Sequence, residues 1–200
     1  MTRPRWNANL HYDRLLAAGV PADARSVLDV GCGDGFLAVR LAKRVPEVTA
    51  VDIDGPVLQR ARARFPGAPV RWVNEDFLAA EPETYDAVVS NAMLHHLPDT
   101  ALALRRLASS VAPGGTLGVV TLVRYAPRNT LWQLASWVAI GIAIRVRGKW
   151  EHTAPLRWPP RDTLRQVRAH ARAVLPGVRV RRLLYGRVLI SWQAPPRSAA

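Results

Sequence analysis

Three glycines at alternate positions form the part of this sequence best suited to binding a small ligand. Gly31, Gly33 and Gly35 directly follow a short apolar run, and a helical pattern starts immediately after them. Glycine lacks a Cβ and tolerates positive φ angles, so such a loop lets the backbone approach a ligand closely. The apolar run also carries an acid, Asp29, and a carboxylate there repels a diphosphate but attracts an ammonium. We therefore expect a ligand with a cationic amino-acid end.

Two adjacent histidines, His95 and His96, follow a later apolar run, 87–90, and are candidates for proton transfer. Histidine titrates near neutral pH and can take a proton from a hydroxyl or an amine. We consider either one as a general base, with His95 slightly preferred. The alternative is that both only shape the site.

Short apolar runs alternate with helical patterns along most of the chain, which predicts a parallel sheet covered by helices on both faces. In such sheets ligands bind at the carboxyl ends of the strands, where the residues named above lie. The predicted strands are 26–30, 48–51, 70–73, 87–90, 116–122, 178–185 and 187–193. The predicted helices are 9–18, 36–44, 57–65, 100–111 and 161–174.

Length and composition indicate one folded domain, because 200 residues with 49% hydrophobic content can bury a full core. The formal charge of +13 would suit RNA, an acidic substrate or an anionic membrane, and base composition of the gene explains it equally well. The single cysteine, Cys32, excludes an intrachain disulfide. With no apolar leader at the N-terminus, we expect a cytoplasmic location.

The segment from Asp29 to Gly35 resembles the first motif of class I S-adenosylmethionine-dependent methyltransferases of the bacterial small-molecule type. A nicotinamide-binding domain is the nearest competitor, but the third fingerprint glycine is missing and Asp29 is present. The resemblance implies a Rossmann-like, doubly wound, mostly parallel seven-stranded α/β sheet with an antiparallel last strand. It also implies S-adenosylmethionine as cofactor and S-adenosylhomocysteine as product.

The same resemblance assigns cofactor-binding roles to residues at successive strand ends. Asp52 would accept hydrogen bonds from the ribose hydroxyls, and Ile53 would pack on the adenine. Asp76 would accept from the adenine amino group, the Phe77 N–H would face a ring nitrogen, and the Asn91 backbone would help hold the methionyl amine. The complete expected cofactor set is Asp29, Gly31, Cys32, Gly33, Asp52, Ile53, Asp76, Phe77 and Asn91.

An apolar, uncharged run at 129–144 lies where this family inserts its substrate-covering element. We interpret residues 125–158 as a lid insert within a single domain, 1–200. A homodimer contact, core packing and attachment to a membrane surface stay open as alternatives. The run is shorter than the ~20 residues that span a bilayer, so we expect no transmembrane segment. The expected acceptor-binding residues are Tyr12, Trp132, Trp137, Glu151 and His152.

These observations predict in-line methyl transfer to a small, hydrophobic metabolite. RNA methylation is an alternative that only the net charge favours. The segment from Asn91 to Leu94 argues against it, because it lacks the Pro-Pro-aromatic run of amine-directed nucleic-acid enzymes. A homologue that binds the cofactor without methylating, as a cyclase or a regulatory protein, is the other alternative. No His, Asp or Glu cluster has metal-ligand spacing, so we predict no metal.

Overall fold

The computed structural model describes residues 6–81, 83–148 and 159–197. The six α-helices described are α1 (Ala8–Gly19), α2 (Phe36–Leu41), α3 (Gly55–Arg64), α4 (Thr100–Ser109), α5 (Thr130–Arg147) and α6 (Leu164–Val174), and two short 3-10 helices span Leu94–His96 and Pro127–Asn129. The seven strands described are β1 (Ser26–Val30), β2 (Glu47–Asp52), β3 (Arg71–Asn74), β4 (Tyr85–Asn91), β5 (Val111–Leu122), β6 (Arg179–Arg182) and β7 (Arg187–Gln193).

The strands form one sheet in the order β3-β2-β1-β4-β5-β7-β6. The first five strands pair in parallel, and β7 is antiparallel to both of its neighbours. This confirms the predicted Rossmann-like sheet with a reversed last strand. The strand order changes direction between β1 and β4, and crevices at such switch points are where open α/β sheets bind ligands.

Both faces of the sheet are buried by helices, which explains why the central strands are almost continuously apolar. On one face α4 and α6 pack on the sheet through a cluster that includes Leu104, Leu107 and Leu164. On the other face α1, α2 and α3 pack through a cluster that includes Leu41 and Leu58. Because helices pack on both faces, the ends of the strands are held in fixed positions at the edge of the sheet.

The start of β5 differs from the prediction, which continued the helix to residue 111 and began the strand at residue 116. In the structure β5 begins at Val111, and its register against β4 shifts between Tyr85 and Ala87. This bulge accommodates Pro113, which has no N–H to give to the ladder. It also brings the backbone close together, since a Cβ on Gly115 would lie 2.7 Å from the Asp86 carbonyl oxygen.

Helix α5 presents apolar side chains to solvent and polar ones to the protein. Gln133 and Ser136 are buried, whereas Leu131, Trp137 and Ile142 are exposed. This distribution is the reverse of an ordinary surface helix. No helix in the described ranges is both long and apolar enough to cross a bilayer.

Candidate active site

A cavity of about 470 Å³ opens at the carboxyl edge of the sheet, beside the switch point between β1 and β4. Its volume is in the range of small-molecule binding sites. It brings together all nine expected cofactor residues and both histidines, which are Asp29, Gly31, Cys32, Gly33, Asp52, Ile53, Asp76, Phe77, Asn91, His95 and His96.

The glycine loop after β1 forms the floor of this cavity. The N–H groups of Gly31 and Cys32 both donate to the carbonyl oxygen of Val51, at 2.8 and 3.1 Å, which ties the loop to the end of β2. Gly31 has φ +70°, and a Cβ there would lie 2.5 Å from Cγ of Met93. A Cβ on Gly33, with φ +51°, would meet only open space, so this glycine leaves room for a ligand.

Asp52 ends β2 with its carboxylate held by the backbone of two loops. One oxygen, Oδ2, accepts from the Gly33 N–H at 2.8 Å, and Oδ1 accepts from the Asp54 N–H at 2.9 Å. An ionised carboxylate has about four acceptor positions, so about two remain for a ligand. Asp54 itself caps α3, because its carboxylate accepts from the Val57 N–H at 3.0 Å.

A flat apolar surface adjoins Asp52. Ile53 is 70% exposed although it is a large aliphatic residue, and Phe77 lines the cavity with the Arg106 guanidinium 4.9 Å from the centre of its ring. Asp76 is exposed, and its Oδ1 accepts from the Leu78 N–H at 2.9 Å. The apolar side chains here could contact the faces of an aromatic ring, with a carboxylate at its edge.

The opposite wall of the glycine loop is strongly acidic and buried. Asp29 is 1% exposed, and burial together with the charges of Asp13 and Asp52 raises its pKa well above the ordinary value. Burial also raises the pKa of Asp13 to about 6, although the Asn91 side chain donates to it at 2.8 Å. Oδ2 of Asp29 and Oδ1 of Asn91 have no donor among the described residues.

Two histidines and an arginine occupy the far side of the cavity. His95 follows β4, and its Nδ1 lies 3.5 Å from Oγ1 of Thr121 on β5. Burial, with the nearby charges of His96 and Arg187, lowers the pKa of His95 to about 3. The His95 imidazole is therefore neutral at physiological pH, and its low pKa makes it a weak proton acceptor.

Asp13 and Arg187 also line the cavity, and the sequence analysis missed both. Asp13 shares one face of α1 with Asn9 and Leu10, which line the cavity too, so helical spacing offered a signal. Arg187 offered none, because it is one residue in an arginine-rich chain.

Three of the expected acceptor residues lie away from this cavity. The Tyr12 hydroxyl donates to the Leu184 carbonyl at 2.8 Å, and Trp132 Nε1 donates to the Leu183 carbonyl at 2.8 Å. Both rings therefore pack near the connection between β6 and β7. Trp137 is exposed on the outer face of α5. The last two expected acceptor residues, Glu151 and His152, lie outside the described residues.

Comparison with known proteins places this geometry in a family. A methyltransferase-domain family model matches residues 27–115, which contain the glycine loop and the strand ends. An uncharacterized methyltransferase of Mycobacterium tuberculosis is 62% identical over 192 residues, covering 95% of this chain and 98% of that protein. The chain belongs to the S-adenosylmethionine-dependent methyltransferases.

Other known proteins match this methyltransferase over part of its sequence or in its fold alone. A ubiquinone biosynthesis O-methyltransferase of Xanthomonas campestris is 38% identical over 114 residues, 54% of this chain and 48% of that enzyme. The N-methyltransferase NodS of Bradyrhizobium japonicum, solved with S-adenosylhomocysteine, has a TM-score of 0.61 at 16% identity. That alignment covers 92% of this chain and 86% of NodS, and it concerns the fold.

The cavity of this methyltransferase fits the cofactor of its family, S-adenosylmethionine. Asp29 and Asn91 each hold a buried oxygen that lacks a donor among the described residues, and an ammonium brings three donors. The open space at Gly33 and the two spare acceptor positions of Asp52 suit a bulky group with neighbouring hydroxyls. The cavity therefore matches S-adenosylmethionine in charge, in hydrogen-bonding groups and in available space.

Proposed function

We propose that this methyltransferase acts on a small, mainly apolar molecule that enters the cavity beside its cofactor. The observation that carries the proposal is that one cavity is lined both by buried acids, Asp13 and Asp29, and by apolar side chains that include Leu10, Leu97 and Leu122. Apolar walls with few polar groups are typical of sites for small organic ligands. The similarity to an O-methyltransferase of ubiquinone biosynthesis further supports such an acceptor.

The cofactor residues take roles that follow from their hydrogen bonds. Asp52 accepts from the ribose hydroxyls with the acceptor positions that the loop N–H groups leave unused. Ile53 and Phe77 contact the adenine, and the exposed Asp76 accepts from its amino group. The buried oxygens of Asp29 and Asn91 accept from the methionyl ammonium, whose charge compensates that of the clustered acids.

Bound S-adenosylmethionine supplies a methyl group on a positively charged sulfur. The protein's task is to hold the acceptor atom in line with that methyl group and to exclude water, which can contribute ~7–11 kcal/mol. The buried, neutral His95 shapes the acceptor end and leaves the lone pair of its ring available for a hydrogen bond. Because burial lowers the pKa of His95, His96, which lines the same cavity, is our candidate for a general base.

We propose that residues 125–158 form an insert on a single methyltransferase domain. The described part of this insert, 125–148, contains α5, whose exposed apolar residues Leu131, Trp137 and Ile142 form a surface that a partner molecule can bury. This surface can be buried by a second copy of the chain or by a bound lipophilic acceptor. Sedimentation of the protein and of its Trp137→Gln variant tests the dimer, because only a dimer held by this face shifts to a slower species.

The function is tested with methyl-labelled S-adenosylmethionine and separate small-molecule, RNA and protein fractions of a bacterial extract. Label in the small-molecule fraction is the expected result, and mass spectrometry identifies the product. The matched control is Asp52→Ala, which should lose label in proportion to its lost cofactor binding. Label in RNA instead would overturn the proposal and give the +13 charge a functional meaning.

A further inference from the structure

Arg187 is a buried cation on the wall of the cavity. Its side chain is nine-tenths buried, with 8% of the residue exposed, and it lines the same cavity as the glycine loop. Nη1 donates to the Tyr185 carbonyl at 2.9 Å, and Nη2 donates to Oδ1 of Asn9 at 2.5 Å. Both acceptors are neutral. Nε has no partner among the described residues.

No carboxylate among the described residues forms an ion pair with Arg187. The ion pairs among the described residues join other side chains, Arg64 with Asp34 and Arg71 with Glu83. Burying a guanidinium without a carboxylate is costly, and proteins rarely do so unless a ligand completes the pair. Burial lowers the pKa of Arg187 to about 10, so the group is still cationic at neutral pH.

Arg187 lies beside Leu122, one of the apolar residues that line the cavity. It is the first residue of β7 and pairs with Leu122, the last residue of β5. Strand β7 is three steps across the sheet from β1, roughly 14 Å at the usual strand spacing. The guanidinium nevertheless extends back towards β4, because Asn9, which accepts from its Nη2, also accepts from the Asn91 side chain through its carbonyl at 2.9 Å.

We propose that Arg187 binds an anionic oxygen of the acceptor, which makes the substrate an organic acid with an apolar body. The inference rests on the proposed function, since it names the class of acceptor. The cofactor's own carboxylate has the same chemistry. Binding of S-adenosylhomocysteine distinguishes the two sources, because only a role at the cofactor makes that binding depend on Arg187.

The test measures binding of benzoate and of its neutral counterpart benzamide to the protein saturated with S-adenosylhomocysteine. Benzoate should bind more tightly than benzamide. Arg187→Met, which keeps an unbranched apolar stem, should weaken benzoate binding by about tenfold or more and leave benzamide unchanged. Arg187→Lys should retain part of the preference. Arg181→Met, on the exposed strand β6, is the matched loss of charge and should change neither.

The affinity for S-adenosylhomocysteine shows whether Arg187 binds the acceptor's anionic oxygen or the cofactor's carboxylate. It also shows whether each variant is folded. It should stay within about threefold of wild type in Arg187→Met. Equal binding of benzoate and benzamide by the wild-type protein would overturn the inference. Loss of S-adenosylhomocysteine binding in a folded Arg187→Lys protein would also overturn it and assign the arginine to the cofactor.

The labelling experiment then distinguishes this inference from the proposed function. The small-molecule fraction is divided into acidic, neutral and basic acceptors before incubation. Label confined to neutral or basic molecules would refute the role of Arg187 while the small-molecule function stands. Label in RNA alone would refute the proposed function.

Discussion

Replacing Asp52 by alanine tests the cofactor site most directly. Both carboxylate oxygens are held by backbone N–H groups, from Gly33 at 2.8 Å and Asp54 at 2.9 Å. The carboxylate is therefore already oriented before a ligand arrives. The two hydrogen bonds it offers to a ribose are charge-assisted, each contributing about 1.5–3 kcal/mol in a buried setting.

The expected loss is smaller than that sum because Asp52 is only half-buried and water competes for the same positions. We expect Asp52→Ala to weaken S-adenosylhomocysteine binding by at least ~1.5 kcal/mol, which is about a tenfold rise in Kd or more. Isothermal titration calorimetry measures this directly. The product is the better probe because it does not turn over.

Asp54→Ala provides the matched control from the same loop. It removes the cap of α3 and should lower stability by about 1 kcal/mol, but the backbone N–H that orients Asp52 remains. Its Kd should therefore stay close to wild type while its melting temperature falls. An unchanged Kd in Asp52→Ala, with a raised Kd in Asp54→Ala, would refute the assignment of the ribose to Asp52.

Three further variants test other parts of the site. Gly33→Ala and Gly114→Ala both place a Cβ at a positive φ in open space, so each variant should lose about 1 kcal/mol of stability. Only Gly33→Ala should also weaken S-adenosylhomocysteine binding. Asp13→Asn should stabilise the protein above pH 6, by on the order of 2 kcal/mol, because the raised pKa penalises the ionised folded state; the gain should vanish near pH 4 in urea melts. The wild-type protein should lose stability as the pH falls from 6.5 towards 3, because His95 takes up a proton only when the protein unfolds. His95→Gln should lose less stability over the same range. An unchanged pH dependence in this variant would contradict the burial of a neutral His95.

The cofactor side was predictable because its residues lie in short, local segments. A buried strand followed by a glycine or an acid identifies its own carboxyl end, and the parallel sheet then brings those ends together. Asp29, Asp52 and Asn91 were predicted in this way, and all three line the same cavity. Their detailed hydrogen bonds were not predicted, because pairing between loops depends on register.

The acceptor side was harder to predict because tertiary packing assembles it from distant segments. Arg187 reaches the cavity only through the pairing of β7 with β5, and no local pattern separates it from the other arginines. Trp132 illustrates the opposite error. Its aromatic ring suggested a ligand pocket, but its indole N–H bonds to the Leu183 carbonyl, a partner that sequence spacing does not reveal.

The reversed strand β7 also divides the site between two folding units. Strand β6 pairs only with β7 in the described sheet, so the two form a local hairpin that docks on the edge of β5. Such hairpins often open and close as one cooperative unit in native-state hydrogen exchange. A transient opening of this unit would release Arg187 and leave the glycine loop, Asp29 and Asp52 in place. We expect amides of β6 and β7 to exchange together, through a state that still binds the cofactor but no longer holds Arg187 in the cavity.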